Sequence, residues 1–179
     1  MGKATKVLEE EHRIIEKVIA TIAMMIETMK GGSTGDQEAL RDIVDFMKVF
    51  ADKCHHGKEE GHLFPMLERM GVPASGCPLG ILILEHQKGR ALVKQLAEGV
   101  EAHANGIPTA AASVLAALQG IYDLYPGHIW KEDYLLFPMT DKVLTVEQQD
   151  ELLAGFERVE QEMGAGVHER FEHLVKMHQ

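Results

Sequence analysis

The sequence predicts an all-α fold, an antiparallel four-helix bundle made of two repeated helical hairpins, with an additional C-terminal helix. Three observations support this fold class. Four long stretches carry apolar residues at helical spacing, no segment alternates between apolar and polar residues as a strand does, and the breaks between stretches are short. Short loops favour antiparallel neighbours, because each helix then runs back along the preceding one.

The first hairpin contains two predicted helices. Apolar residues at helical spacing extend over about residues 3–30 and end at a pair of glycines. Ser33 to Asp36 supply N-cap residues for the second helix, which should reach about Met70. Proline removes a helical hydrogen bond, so Pro65 is expected to end or kink this helix.

The second hairpin follows the same pattern. Its first helix is predicted over about residues 78–104, and its second from about Thr109 to Phe137. The Pro126-Gly127 pair is expected to kink or unwind the latter helix just before His128.

A strongly charged fifth helix is predicted over about residues 143–179, with breaks at Gly164 and Gly166. It extends a bundle that occupies about residues 3–140. A chain of 179 residues suits one compact domain, so residues 1–179 are assigned to a single domain.

Composition excludes several classes of function. The formal net charge of −10 argues against nucleic-acid binding, which depends on Lys and Arg neutralising phosphates. No apolar run approaches the ~20 residues of a membrane span, and no secretory or transit segment is readable, so we expect a cytoplasmic protein without a membrane partner. Cys54 and Cys77 are about 20 Å apart on the predicted helices and should be free thiols.

A twelve-residue segment occurs twice. Residues 55–66 match residues 128–139 at seven of twelve positions without a gap, and a Glu-His pair precedes each copy by about 43 residues. The chain therefore contains two copies of one helical hairpin.

Each hairpin carries a histidine on its first helix and a His-x-x-x-Glu pair on its second. Residues i and i+4 share a helix face about 6 Å apart, so each pair presents a nitrogen and a carboxylate to the same point. Pairing the hairpins about a pseudo-two-fold axis brings these groups together inside the bundle. The predicted metal ligands are His12, His55, Glu59, His86, His128 and Glu132.

The donor atoms favour two iron ions, with manganese less favoured. Four imidazoles and two carboxylates without sulfur are too rich in oxygen for a structural zinc site, whereas they suit iron or manganese. Glu and His facing inward from four helices are typical of di-iron carboxylate proteins. If both carboxylates bridge the ions and an oxo or hydroxo bridge is added, each ion keeps one open position, where O2, NO or peroxide would bind.

These motifs resemble the hemerythrin-like HHE cation-binding family. The resemblance covers about residues 7–140 and rests on Glu-His, His-x-x-Lys-Glu-Glu-x-x-Leu-Phe-Pro, Glu-His-x-x-Gly-Arg and His-x-x-Lys-Glu-Asp-x-x-Leu-Phe-Pro, in that order. It implies a non-haem di-iron centre in a four-helix bundle, with the same six residues as ligands.

Two departures separate the chain from the oxygen-carrying members of that family. Those members have His-x-x-x-His on the third helix, whereas here the residue four after His86 is Arg90. Their last carboxylate is an Asp five residues after its His, but Glu132 follows His128 by four. Both departures weaken an inference of reversible oxygen carriage.

The leading hypothesis is a protein that binds or senses O2 or NO at a di-iron centre. The alternatives are a di-iron enzyme that reduces peroxide or NO, an iron store or donor for the repair of iron centres, and a metal-free interaction module. The sequence does not choose among them, and it does not predict the oligomeric state.

Other side chains near the motifs have open interpretations. His56 is expected to pack beside the ligands or orient them. His62 lies seven residues after His55 on the same helix face and is a candidate for an extra ligand or hydrogen-bond donor, although its repeat counterpart is Leu135. Glu60 and Asp133 are either surface charges or groups that orient ligand imidazoles.

Three further interpretations concern the helices that flank the site. Tyr122 and Tyr125 either pack in the core, or one of them turns inward as a hydrogen-bond donor. Arg90 is predicted to pair with Glu16, which holds the equivalent position in the repeat, and to supply a fixed positive charge that favours an anionic ligand such as peroxide. The Phe-Pro pair that ends each long motif is expected to cap the site and exclude water.

Overall fold

The regular structure is helical throughout the part of the chain that the computed structural model describes, which is residues 2–164, 166, 167, 170 and 171. The first, third and fifth helices are α-helices, and the second and fourth combine α-helical and π-helical parts. The bounds are Lys3–Lys30 for the first helix, 37–69 for the second, Leu79–Ala104 for the third, 110–143 for the fourth and Val146–Met163 for the fifth.

The predicted helix starts are confirmed where local capping controls them. The Asp36 carboxylate accepts hydrogen bonds from the backbone N–H groups of Glu38 and Ala39. Thr145 and Gln148 form a reciprocal capping box at the start of the fifth helix. The first of the two breaks predicted in this helix is confirmed, since the helix ends at Met163 and Gly164 has a φ of 92°.

Two prolines do not end the helices that contain them. The second helix continues through Pro65 to Arg69, close to the last turn predicted at about Met70. The fourth helix stays α-helical through Pro126 to Lys131, so the expected unwinding does not occur, and it reaches Val143 after a π-helical turn, Glu132–Leu136. Only Phe64 separates Pro65 from a π-helical turn, Glu59–Leu63, where the i→i+4 hydrogen-bond pattern has already given way to wider winding. The fourth helix buries Tyr125 and Ile129 on either side of Pro126, and this packing outweighs the local cost.

Two apolar clusters lie on opposite sides of the predicted ligands. On the first helix Leu8 belongs to one cluster and Ile15 to the other, with His12 between them. On the second helix the clusters follow in the reverse order, since Ala51 belongs to the cluster of Ile15 and Leu63 to the cluster of Leu8. The site is therefore enclosed between two dry layers of the bundle, which excludes bulk water from it.

The fifth helix covers the outer side of the first hairpin. Val159 lies against Gly57 of the second helix, and Gly155 lies against the His62 ring. None of the helices in the described ranges combines the length and apolar character that crossing a membrane would need.

We predict that Gly155→Ala destabilises the protein by about 1–3 kcal/mol, because the added methyl group overpacks this contact. A Cβ at Gly155 would lie 2.7 Å from His62 Nδ1. The matched control is Gly127→Ala, where nothing lies within 4 Å and the helix should gain up to about 1 kcal/mol. Urea unfolding that gives both variants the same stability change would contradict this packing.

Candidate metal site

The first of two buried groups in the bundle joins three helices. His12, His55, Glu59 and Glu132 each offer a ligand atom, and these four atoms lie within 4.8 Å of one another. The Nε2 atoms of His12 and His55 are 2.9 Å apart. Two ligands that bind one ion at about 2.1 Å and at right angles are separated by about 3 Å, so the two nitrogens have the spacing of ligands to one cation.

The second group consists of His56, His86 and His128, whose ring nitrogens also lie within 4.8 Å of one another. His86 and His128 were predicted members. His56 was expected only to pack or orient, since its repeat counterpart is Ile129 and the repeat argument gave no reason to include it. Its burial beside two histidines is therefore a structural finding.

Two carboxylates lie between the groups. Glu132 Oε2 is 3.1 Å from His12 Nε2 and 3.2 Å from His128 Nε2. Glu59 Oε2 is 3.4 Å from His86 Nε2 and 3.7 Å from His55 Nε2. Each carboxylate thus faces histidines of both groups, and all six predicted residues meet in one buried cluster.

The Nδ1 atom of each predicted histidine ligand contacts a carboxylate, and a Lys or Arg side chain binds that carboxylate. His55 Nδ1 donates to Glu11 Oε2 at 2.9 Å, and Lys58 Nζ also donates to Glu11. The repeat places the same arrangement in the second hairpin, in His128, Glu85 and Lys131. In each hairpin, the Glu of the Glu-His pair lies on the first helix and supports a histidine of the second helix. The Lys of the long motif lies on the second helix and binds the same Glu.

The other two histidines are supported across the hairpins. His12 Nδ1 donates to Asp133 Oδ1 at 2.6 Å, and Arg13 also binds Asp133. His86 of the second hairpin is supported in the same way by Glu60 of the first hairpin, to which Arg90 also binds. Asp133 and Glu60 thus orient imidazoles, and the alternative that they are only surface charges is wrong.

These contacts set the tautomer of the histidines. A carboxylate only accepts hydrogen bonds, so the Nδ1 atom of each supported imidazole carries the proton. In a neutral ring, the Nε2 lone pair then faces the centre of the bundle, as a metal ligand requires.

Unpaired polar atoms provide the test of whether a cation fits. Of the eight buried side-chain polar atoms that lack a hydrogen-bond partner in the described residues, seven belong to the site. Each unpaired buried polar atom costs about 1–3 kcal/mol, so their concentration at one point needs a compensating ligand. A cation accepts lone pairs from all of them, and the donor set fits it. These atoms lie on His56, Glu59, His86, His128 and Glu132.

Comparison with protein families agrees with this geometry, because residues 3–140 match the model of the hemerythrin HHE cation binding domain. The chain belongs to the hemerythrin HHE family. The family's name states that its domain binds cations, and the His/Glu groups described above are able to hold metal.

Sequence relatives are mycobacterial. The uncharacterized proteins Rv1995 of Mycobacterium tuberculosis and Mb2018 of Mycobacterium bovis are each 22% identical to this chain over 150 residues. The match covers 84% of this chain and 58% of each relative, so the chain spans about three-fifths of their length. No solved structure gives a significant match.

The predicted Arg90–Glu16 ion pair is wrong for this hemerythrin-family chain. Arg90 Nε donates to Asp52 Oδ1 at 2.8 Å, and Arg90 also pairs with Glu60, while Glu16 pairs with Arg13 at 3.1 Å. Equivalence in the repeat does not bring Glu16 and Arg90 into contact, because each arginine pairs with the carboxylates that the packing of its own helix places nearest to it. The charge of Arg90 is balanced by these two carboxylates, so it is not a free positive charge for an anionic ligand.

Burial couples the charges of the site. Burial alone lowers the pKa values of His12 and His86, but neighbouring carboxylates outweigh it and raise them to about 9 and about 10. Burial and the adjacent His12 lower the pKa of His55 to about 4. Burial and Glu132 raise the pKa of Glu59, whereas surrounding histidines outweigh burial and lower the pKa of Glu132. A change at one of these residues therefore alters the charge of the others.

Aromatic rings line the site. Phe137 stacks on His12 with ring centroids 5.4 Å apart, and Phe64 stacks on His86 at 5.7 Å. The Phe of each Phe-Pro pair thus covers a histidine of the opposite hairpin, as the predicted capping role requires. Tyr125 is the tyrosine that turns inward, where burial raises the pKa of its hydroxyl.

The remaining histidines and cysteines lie outside the two groups. His62 is half-buried against Gly155 of the fifth helix, and His103 is near the end of the third helix. Cys54 is buried and Cys77 is exposed, and the two thiols do not form a disulfide, as predicted. Three further histidines lie outside the repeat, so we expect them to be solvated, and they fall outside the described residues, namely His168, His173 and His178.

Proposed function

We propose that the chain is a non-haem di-iron protein that binds or senses a small diatomic ligand, O2 or NO. The observation that carries the proposal is the pair of buried histidine groups joined by two carboxylates that lack hydrogen-bond partners. The proposed ligands are His12, His55, Glu59, His86, His128 and Glu132.

The donor chemistry supports iron as the metal. Imidazole and carboxylate without thiolate suit iron, and manganese less well in our assignment. When bound, two bridged iron ions supply redox chemistry and open positions for a diatomic ligand. The chain's own residues hold the imidazoles in one tautomer, neutralise the buried charges and exclude water.

The proposal includes the arrangement of the helices. His12 lies in the first half of its helix and meets His55, which lies in the second half of the next. This meeting supports antiparallel neighbours within a hairpin. We extend it to an antiparallel four-helix bundle of two hairpins, in a single cytoplasmic domain.

Stopped-flow spectroscopy of the reduced, iron-loaded protein tests the function. Mixing with O2 or NO should give a stable adduct at no more than one ligand per pair of irons. Repeated turnover of peroxide or NO would contradict the proposal and favour the enzyme alternative. Transfer of iron to a metal-free acceptor protein, without an adduct, would favour iron delivery.

The arginine that supports two carboxylates should affect metal affinity. We predict that Arg90→Met weakens iron binding by about 10- to 100-fold, because the carboxylate that orients His86 loses its partner. Competition with a chelator measures this change. Arg69→Met is the control, since Arg69 pairs with Glu151 on the surface, and equal affinities for the two variants would remove Arg90 from the site.

A further inference from the structure

His56 shares the features that mark the other histidines of the site. It is 2% exposed, and its Nε2 atom is buried without a hydrogen-bond partner. Its ring stacks on His86 with centroids 3.8 Å apart and meets His128 edge-on at 5.8 Å. A buried ring nitrogen without a partner, beside two candidate ligands, needs a ligand of its own.

The support behind His56 repeats the pattern of the other four histidines. Its Nδ1 donates to Asp52 Oδ1 at 3.4 Å, and Arg90 Nε donates to the same oxygen at 2.8 Å. In the neutral ring the proton therefore lies on Nδ1, and the lone pair lies on Nε2. Arg90 binds both this carboxylate and Glu60, which accepts the hydrogen bond of His86. One arginine side chain therefore supports two imidazoles.

The winding of the second helix explains how two consecutive histidines are both buried. Residues Met47–His56 form a π-helix, in which more residues occupy each turn and neighbours are separated by a smaller angle than in an α-helix. His55 and His56 are accordingly 1% and 2% exposed, and each belongs to a different group.

We propose that His56 is a seventh protein ligand, which binds through Nε2 to the ion held by His86 and His128. This inference rests on the proposed metal site and assigns it a residue that the repeat does not predict. Arg90 stands on the third helix where the oxygen-carrying members of the family have a ligand histidine. Here it binds Asp52, which orients His56 of the second helix.

The added ligand makes the two ions unequal. The counterpart of His56 in the repeat is Ile129, which offers no donor to the other ion. One ion then has three histidines and the other has two, His12 and His55. The ion held by His12 and His55 would then have one protein ligand fewer and could leave that position to a small ligand.

Cobalt titration tests the assignment. Co²⁺ reports ligand number through its visible absorption, and the wild-type protein should bind two ions per chain without oxygen. In His56→Ile, which copies the residue of the repeat, one of the two sites should bind at least about tenfold more weakly, since loss of an orienting partner alone costs that much. The spectrum of that site should also change to that of a lower coordination number.

Imidazole rescue separates ligation from packing. In His56→Ala, millimolar imidazole should restore the affinity and spectrum of the weakened site. Ile129→Ala is the matched cavity control, and it should bind two ions with an affinity and spectrum that imidazole does not change. Wild-type affinities and spectra in both His56 variants would overturn the seventh ligand and leave the proposed function intact. A wild-type protein that binds no metal would overturn the proposed function itself.

Discussion

Glu132→Ala should reduce the iron content from two ions per chain to one or none. Its two oxygens face His12, His86 and His128, so the substitution removes a carboxylate that both ions share in the proposed site. Two buried positive ions in that site would then lack an anion that compensates them, which is strongly unfavourable. Metal analysis of protein purified without oxygen measures the loss.

Glu59→Ala should behave in the same way, because Glu59 faces histidines of both groups. His103→Ala is the control and should keep both ions, since His103 lies near the end of the third helix, outside both groups. Full occupancy in both glutamate variants would rule out bridging carboxylates, and loss of iron in the control would show that the ligand assignment is wrong.

Glu11→Ala should destabilise the metal-free protein by about 3–5 kcal/mol, because it removes a partner of a fully buried ammonium group. Lys58 is 0% exposed, and its Nζ atom binds Glu11 and Glu160. The substitution also leaves His55 Nδ1 without its acceptor. Urea unfolding of protein stripped of metal measures the effect without a contribution from lost iron.

The repeat provides the matched control. Glu85 binds Lys131 as Glu11 binds Lys58, but their side chains are 21% and 32% exposed, so water screens the pair. Glu85→Ala should therefore cost only about 1 kcal/mol. Equal costs at the two positions would mean that the cover of the fifth helix over Lys58 does not matter for stability.

Much of the site could be predicted from the sequence, because the ligand motif occurs twice in the chain. The spacing of His55 and Glu59 is repeated in His128 and Glu132, and it predicted side chains that share a helix face. The structure brings these residues together with the histidines of the two Glu-His pairs. Helical periodicity likewise predicted the first helix with its observed bounds, Lys3–Lys30.

The residues that the sequence did not reveal are those that break the repeat or act through another group. His56 has an isoleucine counterpart, and its burial depends on π-helical winding that a 3.6-residue period does not describe. Arg13 and Arg90 occupy different positions in their hairpins yet support equivalent histidines. Which carboxylate each arginine reaches depends on the packing of helices, and local spacing does not determine that packing.

We propose that four histidines and two glutamates hold two iron ions within one chain. Metal analysis and Mössbauer spectroscopy of protein purified without oxygen and reconstituted with ⁵⁷Fe measure the number of ions and their coupling. We expect two irons per chain with the signature of a coupled pair. A single iron with the spectrum of an isolated ion, or no bound iron, would rule out the di-iron site.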